Sequence, residues 1–439
     1  MLFLRRLTKK RICFIAFIGF AVFCVEILIY KWAPSDDLNS LIPLEVRLCE
    51  KSESASLDCR LLAQQDAKQL ARAKCIFQER KQSGPVPDSH YIHSTRHCDT
   101  FIRERGYLMN PASVEERNFP LAFSIRMHDN VAQAEHLLRA IYRPHNVYCI
   151  HIDRASAPIV QTAMRSIISC FPNVFVSSLY EDFVYRSYSP VKADLQCMRQ
   201  LLSTGVVWRY YLNLVGTEFP LRTNLELVRV LKRLNGTNDI EMEEFPDYLR
   251  FRITYHHFIF WHDLYRNLFW WKRPFPYSNV TIYKGSSYNM FSREFIVWLL
   301  GNHIAMELID WSRDTHSPDE TVWATLNGMA GAPGGYVVNS TASQMYLSRA
   351  VLWRGDVNST CQGALIHNIC IFGYRDLKWL MARQEMFANK FSISYDPIAY
   401  ECLEQLLWQR VHNPDPEHSV DWEYVQKSID KRKRTRLPG

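Results

Sequence analysis

The densest group of side chains able to move a proton lies in Asp314-Thr-His316-Ser-Pro-Asp319-Glu320, just before the apolar run Val322–Leu326. A carboxylate that is ionised near neutral pH suits a general base acting on a hydroxyl. The same letters also fit a helix start. Ser317 can cap it, Pro318 suits the first helical position, and Glu320 stands three residues after the cap. Spacing alone leaves Glu320 open between a capping box and a base. His256, His257 and His262 form a second group. They sit among Phe258, Phe260 and Trp261, so a partly buried aromatic loop outweighs a metal site.

Such residues need elements to hold them. Leu121–Met127 reads as a strand, 130–142 as a helix, Val147–Asp153 as a strand and 159–170 as a helix. Val174–Leu179 is a third strand, 189–202 a helix beginning Ser-Pro, and Tyr210–Val215 a fourth strand. Short apolar strands alternating with amphipathic helices predict an α/β fold with a mostly parallel sheet covered on both faces. Ligands then bind beyond the C-terminal strand ends, where His128, Asp153, Tyr185 and Glu218 fall. No G-x-G-x-x-G follows the first strand, and no G-x-x-x-x-G-K-[ST], G-x-S-x-G or H-E-x-x-H occurs. Dinucleotide, P-loop, hydrolase and zincin chemistry therefore lack support.

The 439 residues are 47% hydrophobic and 22% charged, with a formal net charge of +7. Much of that charge lies at the two ends, so nucleic acid is not an expected partner. Residues 12–30 are almost wholly apolar after a basic flank, which predicts a signal-anchor, a cytosolic tail at 1–11 and a type II membrane protein. Beyond the anchor stand ten cysteines without a C-x-x-C pair, and sequons start at Asn235, Asn279, Asn339 and Asn358. Both features fit an oxidising lumen. Residues 31–118 read as a lumenal stem, 119–425 as the catalytic domain, and the basic 426–439 as a solvated tail. A lumenal type II protein with such a sheet suggests a Golgi glycosyltransferase. Asp-x-Asp, which would hold a divalent cation on the donor diphosphate, is absent; cationic side chains would then have to neutralise the leaving group.

Segments in order from about 120 to 402 resemble the core 2 and I-branching β-1,6-N-acetylglucosaminyltransferases, glycosyltransferase family 14. They include Leu121-Ala-Phe-Ser-Ile, Asn146-Val-Tyr-Cys-Ile-His-Ile-Asp153, Phe219-Pro-Leu-Arg-Thr-Asn-Leu-Glu226, Ser317-Pro-Asp-Glu320, Cys370-Ile-Phe-Gly373 and Phe387-Ala-Asn-Lys-Phe391. The resemblance implies a GT-A fold and an inverting hexosyltransferase that needs no metal, with a UDP-sugar as donor. It implies transfer of β-1,6-linked GlcNAc to the GalNAc of Galβ1-3GalNAc on O-glycans of glycoproteins. Glu320 becomes the base, Lys390 a diphosphate ligand, and Asp153 the uridine contact with His128 and Tyr185 nearby. Glu241 and Arg252 match residues that grip the acceptor. The family's disulfides fall on Cys59–Cys402, Cys98–Cys170, Cys149–Cys197 and Cys361–Cys370; pairing Cys49 with Cys75 is an extrapolation.

This chain departs from the pattern at several points. The family's diphosphate arginine falls on His367, for which Arg375 is a candidate substitute. An acceptor lysine is replaced by Leu249, and two aromatic positions by Ala350 and Leu352, with Trp353 close by. Val215 stands where the family has an unpaired cysteine. These changes keep rival readings in view. One is transfer of glucose from UDP-glucose, or of xylose, on the same scaffold; another is an inactive sugar-binding membrane protein.

Overall fold

The computed structural model describes residues 57–83, 86–110, 113–337, 346–356, 359–414 and 420–433. The expected tail at 1–11, the anchor at 12–30, Cys49, Asn339 and Asn358 lie outside them. Among the described residues no helix is long and apolar enough to cross a membrane.

Residues from Leu57 onward form one compact unit. Its main sheet has the order β3-β2-β1-β4-β9-β6. The strands are β1 (Leu121–Met127), β2 (Val147–Ile152), β3 (Val174–Val176), β4 (Tyr210–Val215), β6 (Asp239–Glu244) and β9 (Tyr283–Ser292). The first four run parallel, with Ile125 opposite Ile150 on one side and Leu214 on the other. β9 is antiparallel to both β4 and β6. All of β1 and β2 is buried, because helices cover both faces of a parallel sheet. Side-chain alternation sends Leu121, Phe123, Ile125 and Met127 into one core and Ala122 into another. Arg126 shares the second face and meets the helix Ser189–Leu202 there.

A smaller sheet places β13 (Phe387–Asn389) between β10 (Arg349–Val351) and β5 (Glu218–Pro220). Two hairpins complete the strands: β7 (Tyr255–Phe260) with β8 (Asp263–Trp271), and β11 (Ala364–Ile366) with β12 (Ile369–Ile371). Disulfides join Cys59–Cys402, Cys98–Cys170, Cys149–Cys197 and Cys361–Cys370. Cys75 is disulfide-bonded as well.

Two expected boundaries move. The stem drawn at 31–118 gives up its described part to the folded unit. Tyr91, Phe101 and Tyr107 enter the main core, and Cys59 and Leu62 a third one beside Cys402. The tail drawn at 426–439 is helical from Trp422 to Lys433, with Val425 and Ile429 buried. Its Arg432 pairs with buried Asp239 at the start of β6. Charge composition had hidden an apolar stripe of helical spacing.

Candidate active site

Beyond the ends of β1, β2 and β4 lies a cavity of about 560 Å³, within the range of small-molecule sites. It brings together His128, Asp153, Tyr185, Glu320 and Lys390 of the expected residues, and Val215 also lines it. Asp153, just past β2, is buried; its Oδ1 accepts from the amides of Ala155 (2.9 Å) and Phe183 (3.1 Å). Its Oδ2 lies 2.8 Å from His128 Nδ1. Both carboxylate oxygens are thus held, which fixes the group at one rim of the cavity.

Glu320 reaches the cavity lining by a route different from the one expected. Ser317 has φ 49° and ψ 58°, so it cannot serve as an extended cap. Its amide donates to the Arg186 carbonyl at 2.7 Å, and its hydroxyl lies 3.1 Å from His316 Nδ1. Pro318–Glu320 makes one 3-10 turn, and the α-helix begins at Val322. The capping-box reading of Glu320 is therefore corrected. Its Oε2 instead accepts from Arg252 Nη1 at 2.6 Å. The Arg252 carbonyl also accepts from the His316 amide at 3.0 Å, so one residue clamps the loop by main chain and side chain.

Glu241, at the heart of β6, lies close enough to Glu320 for its charge to matter. Burial pushes the Glu241 carboxyl up, Lys284 opposes this, and Glu243 and Glu320 reinforce it. Asp319, next to Glu320, is half-buried and also lines the cavity. Burial first, then the charges of Glu320 and Asp194, push its carboxyl up to about 7 against the opposing Arg126. Arg252 and His257 lie near His316, which burial holds down at about 4.

Lys390 follows β13, whose register sets Asn389 opposite Glu218. Asn389 is gripped by Thr217 Oγ1 (3.1 Å) and the Tyr288 hydroxyl (2.6 Å), and the Phe391 amide donates to the Thr217 carbonyl at 2.8 Å. Lys390 thus stands on a strand pinned from both sides.

His367 does not line the cavity. With Asn368 it forms the left-handed turn between β11 and β12 (φ 50° and 66°), and its ring stacks on Tyr185 at 5.5 Å. Arg375 is exposed elsewhere, its carbonyl accepting from Gln65 Nε2 at 3.4 Å. Trp353 bridges to Ile369 outside the cavity lining, while Ala350 and Leu352 are buried. Two arginines passed over in the sequence do line the cavity: Arg126 and Arg186. Arg126 is buried, 3.8 Å from Asp194, and its Nε has no hydrogen-bond partner. An arginine inside the otherwise uncharged strand Leu121–Met127 was the signal for it. Arg186 lies 4.7 Å above the Tyr185 ring.

Among the described residues, the one trio spaced for a metal is Cys361, Cys370 and Asp376, whose sulfurs are joined to each other. Of the sequons, Asn235 and Asn279 are exposed.

A parallel-rich sheet whose strand ends open on a cavity lined by a buried carboxylate, a second carboxylate and a lysine has the architecture of a group-transfer site for an activated donor. Residues 121–381 match the family described as Core-2/I-Branching enzyme. The human protein "Beta-1,3-galactosyl-O-glycosyl-glycoprotein beta-1,6-N-acetylglucosaminyltransferase 3" is 40% identical over 342 residues, covering 75% of this chain and 77% of that protein. A second human protein of that name without the numeral is 35% identical over 376 residues, covering 82% and 87%. A Bovine herpesvirus 4 protein with the same unnumbered name is 36% identical over 368 residues, covering 80% and 82%. The chain belongs to the Core-2/I-branching enzyme family and is a glycosyltransferase.

Proposed function

We propose that this chain is an inverting β-1,6-N-acetylglucosaminyltransferase acting in the Golgi lumen, anchored there by residues 12–30. Its donor is UDP-GlcNAc and its acceptor the GalNAc 6-hydroxyl of Galβ1-3GalNAc on glycoproteins. The names of the relatives support the linkage and the acceptor class. The observation that carries the mechanism is Glu320, fixed by Arg252 through one oxygen at the cavity wall. Its Oε1 has no hydrogen-bond partner among the described residues and takes the acceptor proton. The hydroxyl oxygen bonds to the donor's anomeric carbon from the face opposite UDP, the bond to the diphosphate breaks, and the proton stays on Glu320.

Asp153 and His128 hold the uridine end, with Tyr185 over it, and Lys390 balances the charge that develops on the diphosphate. His367 acts at one remove, by stacking on Tyr185. No metal is needed in this scheme, because Lys390, Arg126 and Arg186 supply the positive field at the cavity. Glu241 and Arg252 border the acceptor side.

The test is transfer to an aryl Galβ1-3GalNAc acceptor from UDP-GlcNAc, UDP-glucose, UDP-galactose or UDP-xylose, each with and without EDTA. Transfer of GlcNAc undiminished by EDTA is the expected result. Transfer from UDP-glucose alone would replace the donor, loss with EDTA would replace the charge scheme, and no transfer from any donor to any acceptor core would favour an inactive sugar binder.

A further inference from the structure

The β7–β8 ribbon is rooted beside the site, since Arg252 just before it bonds Glu320, and it is apolar where a protein surface facing water is not. Its turn, Trp261-His262, has positive φ at both residues (48° and 62°), the geometry that matches hairpin twist. Between the pairs Tyr255–Trp271 and His257–Arg266, β8 carries residues 267–270 against His256 alone. Asn267–Trp270 therefore bulges outward, with the Phe269 amide donating to Asn267 Oδ1 at 3.0 Å. Trp261 is 85% exposed and Phe269 89%; Phe260, Leu268, Trp270 and Trp271 are exposed as well. A two-stranded ribbon is marginal by itself in water, and a contiguous apolar patch marks a surface that something covers.

The root of the ribbon is polar and firmly held. His256 and Lys272 both bond Asp314, and Arg252, three residues before β7, bonds Glu320. The cationic Arg266 lies over the Phe251 and Tyr255 rings at 5.4 and 5.2 Å, and Arg273 is exposed beyond Lys272. Exposed aromatic and aliphatic side chains at the tip (Phe260, Trp261) and along the bulge (Leu268–Trp271), interleaved with the cations Arg266, Lys272 and Arg273, are the composition of a membrane–water interface. The chain supplies the proximity. Residues 31–56 are all that separate the apolar 12–30 from the folded unit. At ~3.3–3.6 Å per residue those positions reach at most about 90 Å, so an anchor at 12–30 ties the domain to its bilayer.

We propose that the β7–β8 ribbon is a membrane-docking element that lies in the headgroup layer of the bilayer and holds the mouth of the active site against that surface. It rests on the anchor reading given above. The outer edges of the two strands carry unpaired main-chain groups, so the ribbon lies in the interface and does not enter the hydrocarbon.

The test uses the full chain with a protease site placed between residues 32 and 48, reconstituted in phosphatidylcholine vesicles containing phosphatidylserine. Sedimentation is measured before and after cleavage. Wild-type protein is expected to stay on the vesicles after cleavage, and a Trp261→Ser/Phe269→Ser/Trp270→Ser variant to partition into the supernatant at least about tenfold more. Brominated lipids should quench tryptophan fluorescence more strongly with shallow than with deep bromines. Unaltered turnover of the variant on a soluble acceptor, and retention of binding by Trp261→Phe, show that the fold is intact. Failure to sediment before cleavage overturns the anchor and the docking together. Release of wild type only after cleavage overturns the docking alone. Ribbon-dependent dimers without vesicles, or a raised acceptor KM in the variant with unchanged vesicle binding, would assign the surface to a second copy or to the acceptor and overturn the proposal.

Discussion

Replacing Asp319 by Asn should stabilise the protein, and more so at neutral than at acid pH. In the fold this half-buried carboxyl lines the cavity beside Glu320 and keeps its proton up to about 7, whereas its ordinary value is 3.8. Between those values the native state holds a proton that the unfolded chain has released. Stability contributed by the protonated form therefore falls as pH rises through that window, by on the order of 4 kcal/mol in all. Asparagine cannot ionise and escapes the loss. Between about pH 5 and about pH 7.5 the advantage of the variant should grow by about 3 kcal/mol, close to 4 °C in thermal midpoint for a unit of this size. Glu218, also raised to about 7 by burial, is present in both proteins and cancels in the comparison. The assay is thermal unfolding of both proteins at the two pH values. An advantage of the same size at both, or a variant less stable at pH 7.5, would refute the account of Asp319 as a protonated neighbour of Glu320.

Glu320→Gln should lower turnover by about 10²- to 10⁴-fold with little change in thermal midpoint, and turnover at the wild-type rate would remove the base from the mechanism. Lys390→Ala should raise the donor KM by roughly tenfold or more, the loss of one charge-assisted contact, while Arg375→Ala, remote from the cavity, should leave it unchanged. Initial-rate kinetics over a range of donor concentrations separates the two. Arg126→Met strands Asp194 and Asp319 without their cation and should cost about 3–5 kcal/mol in denaturant unfolding. Adding Asp319→Asn to that variant should recover part of the loss, and strict additivity would show that the two residues do not interact.

The parallel strands were legible because fully buried strands read as short apolar runs, and β4 forms over the expected residues Tyr210–Val215. Asp153 and Lys390 were found where strand ends and the family pattern put them. Local letters failed at Ser317, whose left-handed backbone is set by a bond to Arg186, 131 positions away in the chain. They failed again at Arg432, which reads as one of a run of surface cations yet pairs with Asp239. The surroundings of His367 and Arg375 also depend on the fold. The resemblance sets His367 at the family's diphosphate position and nearness in sequence suggests Arg375; the β11–β12 turn stacks the first on Tyr185, and the carbonyl of the second accepts from Gln65. Arg126, a lone charge in a buried strand, was legible from the letters alone.

The last-made part of the chain completes the first. β13 fills the centre of the small sheet and delivers Lys390, and Cys402 joins Cys59 across 343 residues. A ribosome that stops at residue 380 has made the whole main sheet and Glu320, yet it has left the small sheet without its middle strand and Cys59 without its sulfur partner. Truncating alleles of this gene should therefore show no gradient of severity along the reading frame as far as codon 402: a stop near the end is expected to be as damaging as one near the beginning.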